Sequence, residues 1–422
     1  PAWAAEITGL SVDEIIAFAR LYGSTQRSYL RVGYGFTRQR NGAAAMHAVS
    51  CLPAVSGAWA HPGGGALYGN SALYQLNTRF LYGLDAGIGL ARMLDMSRLG
   101  AVLAGESRDI GNGPPVSALL IQNTNPAVVA PESGKVRQGL LREDLFTCVH
   151  EQFMTDTAKL ADIVLPATTF LEHDDLYQAS GHTFLQAAQA VIPAPGECRS
   201  NHRFIGQLAE RLGLTHPAFA MDEHTLIDRL LADSGRPGVD ELLSKGWIDC
   251  ALPFAQAHFL DGFGHPDGRF RFAPDWSTLG DGHATMPPLP DHLDVINKAS
   301  AEQPYRLVAA PARNFLNSTF TETPTSRLKE DRPTLLVHSK ACTRHGITDG
   351  KLVRIGNQHG SLLLHARAFD GMQEDTLIVE SQWPNDAFVE KIGINVLVSA
   401  EPGFPASGAA YHDTAVWLQA GN

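Results

Sequence analysis

The sequence predicts an α/β protein in which parallel sheets are followed by a C-terminal β-barrel. Three observations support this prediction. Near the start, a short strand pattern runs into a glycine-rich loop and then a helix, which is how an α/β unit begins. Between residues 116 and 170, apolar strands alternate with short helical segments, which favours a parallel sheet. From residue 305 onward, strand patterns dominate.

The first segment is predicted to run helix, strand, loop, helix. "SVDEIIAFARLYG" has Ser11 as N-cap, Glu14 three residues later to complete a capping box, and Gly23 as a helix stop. "SYLRVGYGFTRQRNG" is typical of a short strand that enters a glycine-rich loop. "AAAMHAVSCLPAVSG" is apolar nearly all round, so we expect a buried helix.

The second α/β unit begins near Val116. "VSALLIQNTNPAVVAP" predicts a strand that ends in an Asn-Thr-Asn-Pro loop. "LFTCVHEQFMTDTAKLA" predicts a strand, a loop and a short helix, and "ADIVLPATTF" predicts a third strand. Because ligands of α/β sheets bind at the carboxyl ends of the strands, the two loops are candidate binding loops.

The pattern changes between about Pro195 and Ala299. Here "SNHRFIGQLAERLG" and "DEHTLIDRLLADSG" predict amphipathic helices, which are followed by Pro- and Gly-rich stretches. After Tyr305, strands are predicted in "YRLVAA", "TLLVHS", "KLVRIGNQHGSLLLHARAF" and "DTLIVES". "GNQHG" has the composition of a hairpin turn between two alternating runs. We expect a compact β-barrel domain.

Composition excludes several classes of function. The chain has 422 residues, 44% of them hydrophobic and 18% charged, with a formal net charge of −11. A nucleic-acid-binding protein would show a basic face, so we expect no nucleic-acid partner. No apolar run approaches the roughly 20 residues that span a bilayer, so we expect no membrane span in this chain.

The five cysteines predict neither a disulfide framework nor a zinc ribbon. They lie at least 50 residues apart and none forms a CxxC pair. We expect reduced, mostly buried thiols. The first residue, a proline that runs straight into a helix, leads us to expect a piece of a longer protein.

Four loops carry candidate site residues, each with a plainer alternative. "GYGFTRQRNG" offers glycines for close backbone approach and arginines for a phosphate, but a tight turn explains it equally well. "NTNP" could be a simple turn. In "HEQFMTDT", Glu151 could accept hydrogen bonds from a ribose or a guanine edge, while Thr155 is expected to cap the next helix. "ARNFLNSTF" favours a binding loop.

An acidic cluster, Glu172-His173-Asp174-Asp175, follows the third strand of this unit. Its atoms suit a metal ion or acid/base chemistry, but four adjacent residues cannot all turn toward one ion. We therefore expect a solvated or helix-capping turn and no metal site. A hydrolase that uses this cluster with a divalent metal is the weakest alternative.

The order of motifs resembles the C-terminal part of the molybdopterin oxidoreductases, the family of formate dehydrogenases, periplasmic nitrate reductases and dimethyl sulfoxide reductase. The residues that carry the resemblance run through the whole chain. The most specific are "HEQFMTDTAKLADIVLPATTFLEHDDLY" and "HSKACTRHGITDGKLVRIGNQHG". The others are "GYGFTRQRNG…LPAVSGAWAHPGGG", "NTNP", "HPDGRFRF" and "INVLV".

The resemblance implies four regions around two pterin–guanine dinucleotides that hold molybdenum or tungsten. Residues 1–82 would be the C-terminal part of one α/β domain, and 83–194 a second one on the guanine dinucleotide side. Residues 195–303 would connect them to a cofactor-binding barrel of the double-psi type at 304–422. The cofactor contacts that it implies are Gly33, Tyr34, Gly35, Arg38, Asn125, Glu151, Thr155, Arg313, Asn314, Asn317, Trp383, Asn395 and His412. Of these, Trp383 and Asn395 would face a pterin.

The sequence also departs from the family pattern. The family's N-terminal iron–sulfur cysteines are absent, as is a Cys, selenocysteine or Ser in the context of the metal ligand, so we expect any 4Fe-4S cluster only upstream. Where formate dehydrogenases carry an Arg, this chain has "GGALYGNS". His412 replaces a Lys, and Arg38 replaces a common Gln.

The predicted function is therefore that of the cofactor-binding C-terminal portion of a molybdenum or tungsten bis-molybdopterin guanine dinucleotide oxidoreductase. We expect this chain alone to be inactive and to be recovered without the cofactor. The catalytic residues are not identified. A scaffold or electron-transfer subunit that kept the fold and lost the metal is the alternative. The expected partners are a small redox substrate and an electron-transfer subunit, in either the cytoplasm or the periplasm.

Overall fold

The structure is a computed structural model that describes residues 1–86, 91–405 and 408–421. Its α-helices, numbered in chain order, are α1 Ala2–Thr8, α2 Val12–Ser24, α3 Gly42–Ser56, α4 Leu99–Leu103, α5 Ser107–Ile110, α6 Pro126–Val129, α7 Ser133–Leu140, α8 Asn201–Arg211, α9 Glu223–Asp233, α10 Val239–Lys245, α11 Phe254–Ala257, α12 Pro324–Glu330 and α13 Ser339–His345. None of the helices within these ranges combines the length and apolar character of a membrane-spanning helix.

The strands are numbered in the same way. They are β1 Tyr29–Arg31, β2 Gly65–Leu67, β3 Ala118–Gln122, β4 Phe146–Glu151, β5 Ile163–Pro166, β6 Asp175–Tyr177, β7 Phe184–Ala188, β8 Ile248–Asp249, β9 Tyr305–Ala310, β10 Thr334–Val337, β11 Leu352–Asn357, β12 Gly360–Ala368, β13 Thr376–Glu380 and β14 Thr414–Ala420. Together with the helices they confirm an α/β region that precedes a closed barrel.

The first unit is a two-stranded parallel sheet, β1–β2, flanked by α3. The predicted capping box is present at the start of α2, where Ser11 and Glu14 each accept a backbone N–H bond from the other. Two details of the prediction are wrong. Gly23 does not stop α2, because its φ stays outside the left-handed region and the helix continues to Ser24. Only part of α3 is buried, since one small sheet cannot surround it, and Val55 is 73% exposed.

The second unit confirms the predicted parallel sheet, in the order β3-β4-β5. Its strands are in register, with Gln122 beside His150 and Glu151 beside Pro166. Alternating residues face a core that they share with α4, α6 and α7, and this core includes Leu103, Ile121, Leu140 and Val149. The carboxyl ends of β3 and β4 therefore present the Asn-Thr-Asn-Pro and HEQFMTDT loops at one edge.

A third layer was not predicted from the sequence. Strands β6, β7 and β8 form an antiparallel sheet, and α9 and α10 cover it. Tyr74 is fully buried there, and its hydroxyl donates to the carbonyl oxygens of Ala179 and His182. The predicted amphipathic helices α8 and α9 are confirmed, with Ser200 and Asp222 as N-caps.

The closed barrel has the strand order β10-β12-β11-β14-β9-β13. The predicted hairpin is confirmed, because β11 and β12 pair antiparallel with Asn357 opposite Gly360, which leaves a two-residue turn. The barrel core is a large apolar cluster that includes Leu335, Ile355, Leu362 and Leu377, all fully buried. The last strand, β14, was not predicted, although its run of Val, Trp and Leu is typical of a strand. It pairs with β11 and β9.

Candidate functional site

The glycine-rich loop after β1 lies against the C-terminal end of the chain. Gly33, Tyr34, Gly35 and Arg38 are all exposed. The backbone N–H of His412 donates to the carbonyl oxygen of Arg38 at 3.0 Å. A Cβ atom on Gly35 would lie 3.7 Å from the Nε2 atom of His412, so the glycine leaves room beside the imidazole. The fold therefore brings together predicted cofactor residues from both ends of the chain.

Burial of His412 favours the neutral form of its imidazole. Its Nδ1 atom is buried and has no hydrogen-bond partner among the described residues. Burial lowers the pKa of His412, because a charged imidazolium loses solvation there. The Arg38 guanidinium lowers this pKa further, while the Asp413 carboxylate opposes the shift. In a neutral imidazole one ring nitrogen donates a hydrogen bond and the other accepts one, so a buried nitrogen without a protein partner suits a ligand.

Two of the predicted residues at the sheet edge, Asn125 and Thr155, form hydrogen bonds with other protein groups. Asn125 is 9% exposed, and its Oδ1 accepts from the backbone N–H and the hydroxyl of Thr157 at 3.1 and 2.6 Å. The Thr155 hydroxyl accepts from the N–H of Ala158 at 3.2 Å, which is the capping role expected for it. Glu151 is half-buried at the end of β4. Thr157, which the sequence did not single out, therefore orders this edge.

The predicted barrel loop after β9 carries an arginine, Arg313, and two asparagines, Asn314 and Asn317. Arg313 and Asn317 are exposed. The backbone N–H and side-chain amide of Asn314 both donate to Glu330 Oε1, at 2.6 and 2.7 Å. Asn317 adopts a left-handed φ of 51°, and its carbonyl oxygen accepts from the Ser381 hydroxyl at 3.4 Å.

Trp383 and Asn395 are buried, and their observed partners are protein atoms. Trp383 is 3% exposed, packs edge-on against Phe315 and donates its indole N–H to the carbonyl oxygen of Glu380 at 3.1 Å. Asn395 is fully buried and donates to the carbonyl oxygens of Val128 and Val129, each at 2.9 Å. The pterin contacts expected of both side chains stay predictions.

Helix α6 is where the sheet edge meets the barrel, and three barrel residues bind its last carbonyl oxygens. The Asn385 amide donates to Ala127 at 3.1 Å, and the Asn395 amide binds the next two residues. The Tyr411 hydroxyl donates to Val129 at 2.8 Å. A helix end leaves its last carbonyls without intrahelical partners, so these side chains complete the hydrogen bonding of α6.

Two carboxylates of the acidic cluster accept hydrogen bonds from backbone N–H groups. Glu172 accepts from the N–H of Thr169 at 2.9 Å, and Asp174 accepts from the N–H of Ala190 at 2.8 Å. His173 bonds the Thr168 hydroxyl at 2.8 Å. Within the part of the chain that the structure describes, no three His, Cys, Asp or Glu side chains form a group that could hold a metal ion.

Two family profiles match the chain, and together they cover both the α/β region and the barrel. The profile described as "Molybdopterin oxidoreductase" matches residues 12–211, and the profile described as "Molydopterin dinucleotide binding domain" matches residues 305–415. The chain belongs to the molybdopterin oxidoreductase family.

Relatives and a solved structure agree with this assignment. The chain is 34% identical to a probable oxidoreductase, YoaE, from Bacillus subtilis, over 99% of this chain and 60% of the relative. It is 26% identical to biotin sulfoxide reductase from Cereibacter sphaeroides, over 89% of this chain and 55% of the relative. Acetylene hydratase from Pelobacter acetylenicus shares the fold, with a TM-score of 0.64 and 21% identity over 78% of this chain and 47% of that one.

The chain spans 60% or less of the length of these relatives. The matched profiles support a molybdopterin cofactor for the family member, and the side chains present fit such a group. A pterin dinucleotide is a polyanion with a diphosphate and polar ring edges. Arg38 and Arg313 carry exposed guanidinium groups, which suit phosphate oxygens. The buried Nδ1 atom of His412 has no partner among the described residues, and it suits a polar edge of the pterin ring.

Sequence reasoning missed several residues that order this region. Thr157 lies within the HEQFMTDT motif, and Asn385 and Tyr411 lie within two residues of Trp383 and His412, but nothing in their spacing shows that they bond α6. His150, 1% exposed, stacks on Phe204 of α8 with ring centroids 4.7 Å apart, and burial lowers the pKa of this histidine. The signal for His150 was a polar residue inside an apolar strand, which implies a specific partner.

Proposed function

We propose that this chain is the cofactor-binding portion of an oxidoreductase that uses molybdenum or tungsten held by molybdopterin guanine dinucleotide. The observation that carries the proposal is the contact between the glycine-rich loop and His412. Residues 35 and 412 come from opposite ends of the chain, and they meet beside the exposed Arg38, whose carbonyl oxygen accepts from the His412 N–H. Turnover is proposed for the whole protein that contains this chain.

The proposed roles follow from the side-chain chemistry. Arg38 and Arg313 would bind phosphate oxygens, and Asn314 and Asn317 would contact the same dinucleotide. Asn125, Glu151 and Thr155 would line the guanosine end, where the Glu151 carboxylate can accept two N–H bonds from a guanine edge. Gly33, Gly35 and Tyr34 would leave space for the pterin, with Trp383, Asn395 and His412 on its barrel side. When bound, the cofactor supplies two-electron redox chemistry at its metal.

The nucleotide half of the cofactor provides the test. Isothermal titration of the purified chain with GDP should show saturable binding, and ADP should bind more weakly because adenine lacks the N–H groups that Glu151 accepts. Arg38→Ala or Arg313→Ala should weaken GDP binding about tenfold, as for the loss of a charge-assisted hydrogen bond. Arg27→Ala is the matched control, because Arg27 is an exposed arginine before β1, at the opposite end of that strand from Arg38. Equal affinity for GDP and ADP, or an unchanged affinity in both arginine variants, would contradict the proposal.

The molybdenum or tungsten content should distinguish the isolated chain from the complete protein. We expect the isolated chain to contain less than stoichiometric molybdenum or tungsten, and the complete protein to contain it. A complete protein that is purified under cofactor-replete conditions without metal or pterin would instead favour the scaffold function.

A further inference from the structure

Two adjacent residues that precede β14 bond two separate parts of the chain. The Tyr411 hydroxyl donates to the carbonyl oxygen of Val129, the last residue of α6, at 2.8 Å. The backbone N–H of His412 donates to the carbonyl oxygen of Arg38, in the glycine-rich loop, at 3.0 Å. Residues 411 and 412 therefore connect the edge of the β3–β5 sheet to the glycine-rich loop of the first α/β unit.

The next residue, Asp413, makes a third connection. Its Oδ2 atom accepts from the backbone N–H groups of Arg40 and Ile296, at 2.9 and 3.1 Å. Its carbonyl oxygen accepts from the N–H of Asn297 at 3.2 Å. Asp413 is 2% exposed, so this carboxylate is ordered by the two N–H groups and screened from water. We call residues 411–413 the clasp.

The clasp has little freedom to stretch. Consecutive Cα atoms are about 3.8 Å apart, so three adjacent residues cannot adjust their three connections independently. Thr414, which follows directly, begins β14, and this strand is hydrogen-bonded on both sides, by β9 and by β11. A displacement of α6 should therefore be transmitted to the glycine-rich loop through a rigid support.

We propose that Tyr411 and Asp413 are positioning residues that fix the glycine-rich loop relative to α6. The two parts carry different groups of the predicted cofactor residues, Gly33 to Arg38 on one side and Asn125 on the other. The clasp sets their spacing before any ligand arrives, and it couples motion of one to the other. This coupling holds without the cofactor; only its use in spacing two cofactor-binding walls rests on the proposed function.

The experiment is amide hydrogen–deuterium exchange of the free protein, read peptide by peptide. Tyr411→Phe removes one hydroxyl and keeps the ring, and Val129 retains its bond from Asn395, so the variant should fold. We expect exchange to rise at least threefold in residues 126–131 and also in residues 33–41, which are outside the hydrogen bond that the substitution removes.

Asn385→Ala is the matched control, since it removes a barrel bond to the same helix, at Ala127, without involving the clasp. It should raise exchange in residues 126–131 alone. The coupling is wrong if Tyr411→Phe also affects only residues 126–131, or if Asn385→Ala opens residues 33–41 to the same extent.

Two substitutions of Asp413, one conservative and one not, provide a second test. Asp413→Asn keeps an oxygen that can accept from Arg40 and Ile296, whereas Asp413→Leu has none. Exchange in residues 33–41 should stay within twofold of the wild type for Asp413→Asn and rise at least tenfold for Asp413→Leu. Equal exchange in the two variants would overturn the role of the carboxylate oxygen. GDP titration of the wild type is read separately, so a failure to bind GDP counts against the proposed function alone.

Discussion

The Asn395 amide shows how a single polar side chain can be fully buried in this protein. It donates to two backbone carbonyl oxygens at the end of α6, at 2.9 Å each, and it is 0% exposed. Burial of an amide is costly unless it is hydrogen-bonded, so the position accepts a donor of this shape and little else. The resemblance implied a pterin contact for Asn395, and the partners that the fold shows are carbonyl oxygens of α6.

Asn395→Asp tests this role with almost no change in shape. A carboxylate would place oxygen against oxygen, and we expect a loss of about 3–5 kcal/mol in the free energy of unfolding, as for an uncompensated buried charge. Urea denaturation measures it. Gln138→Ala is the control, because Gln138 is exposed on α7 and should change stability by less than about 0.5 kcal/mol. Similar losses in the two variants would contradict the assigned contacts.

His412 should contribute to acid sensitivity. Burial lowers its pKa in the folded protein below the value of about 6.5 that applies to an unfolded chain. The unfolded state therefore binds more protons as pH falls through this window, and stability decreases on acidification. At pH 8 both states are neutral and the effect vanishes.

His412→Gln removes this contribution, so the decrease in unfolding free energy between pH 8 and pH 5 should be smaller than in the wild type. Urea denaturation at several pH values measures it, and a proton NMR titration of the His412 ring should give a pKa below 6.5. A ring that titrates above that value would show that Asp413 dominates over burial and Arg38.

Helix α7 shows why some glycines occur inside a regular element. A Cβ atom on Gly139 would lie 2.5 Å from the Leu103 Cβ, so the close approach of α7 to α4 requires glycine there. Gly134 lies in the same helix, and its nearest neighbour would be Val396 at 3.7 Å, an ordinary contact distance. Only tertiary packing distinguishes the two positions.

The two alanine substitutions should therefore have opposite signs. Gly139→Ala should destabilise the protein by about 1–3 kcal/mol through overpacking. Gly134→Ala should stabilise it by up to about 1 kcal/mol, because alanine has the higher helix propensity. Thermal unfolding followed by circular dichroism measures both. Stabilisation by both substitutions would contradict the packing of α7 on α4.

At the scale of the whole molecule, α6 connects the parallel sheet to the barrel. Three barrel side chains complete its hydrogen bonding, and two further contacts join Glu132 to the segment that precedes β14. The Glu132 N–H donates to the carbonyl oxygen of Val398 at 2.9 Å, and its Oε1 accepts from the N–H of Ala400 at 3.0 Å. The ion pair between Arg108 and Glu401, at 3.3 Å, is exposed and adds little.

We expect the sheet and the barrel of the wild type to unfold in one transition. The combination Asn385→Ala, Asn395→Ala and Tyr411→Phe removes the barrel bonds to α6, so the two parts should then unfold separately. Calorimetry measures this as one heat-absorption peak in the wild type and two in the triple variant. A single peak at an unchanged temperature in the triple variant would show that other contacts hold the two parts together.

The sequence by itself determined the class of fold, the presence of a parallel sheet, the barrel hairpin and the family. These properties follow from local signals: hydrophobic periodicity, the capping box of Ser11 and Glu14, and long motifs matched in order. The sequence predicted a solvated or helix-capping turn at Glu172, and the structure shows Glu172 and Asp174 accepting hydrogen bonds from backbone N–H groups instead.

Only the tertiary structure decided which distant residues meet. The bonds from Tyr411 to α6, from His412 to the glycine-rich loop, and from Thr157 to Asn125 join residues that are far apart in sequence. Local patterns carry no information about such pairs, because periodicity determines which face of an element is buried but not what covers it. The same reason explains why β14 and the antiparallel β6–β8 sheet were missed, since β14 pairs with β9 and β11 and β7 pairs with β8, and these partners lie far away in the sequence.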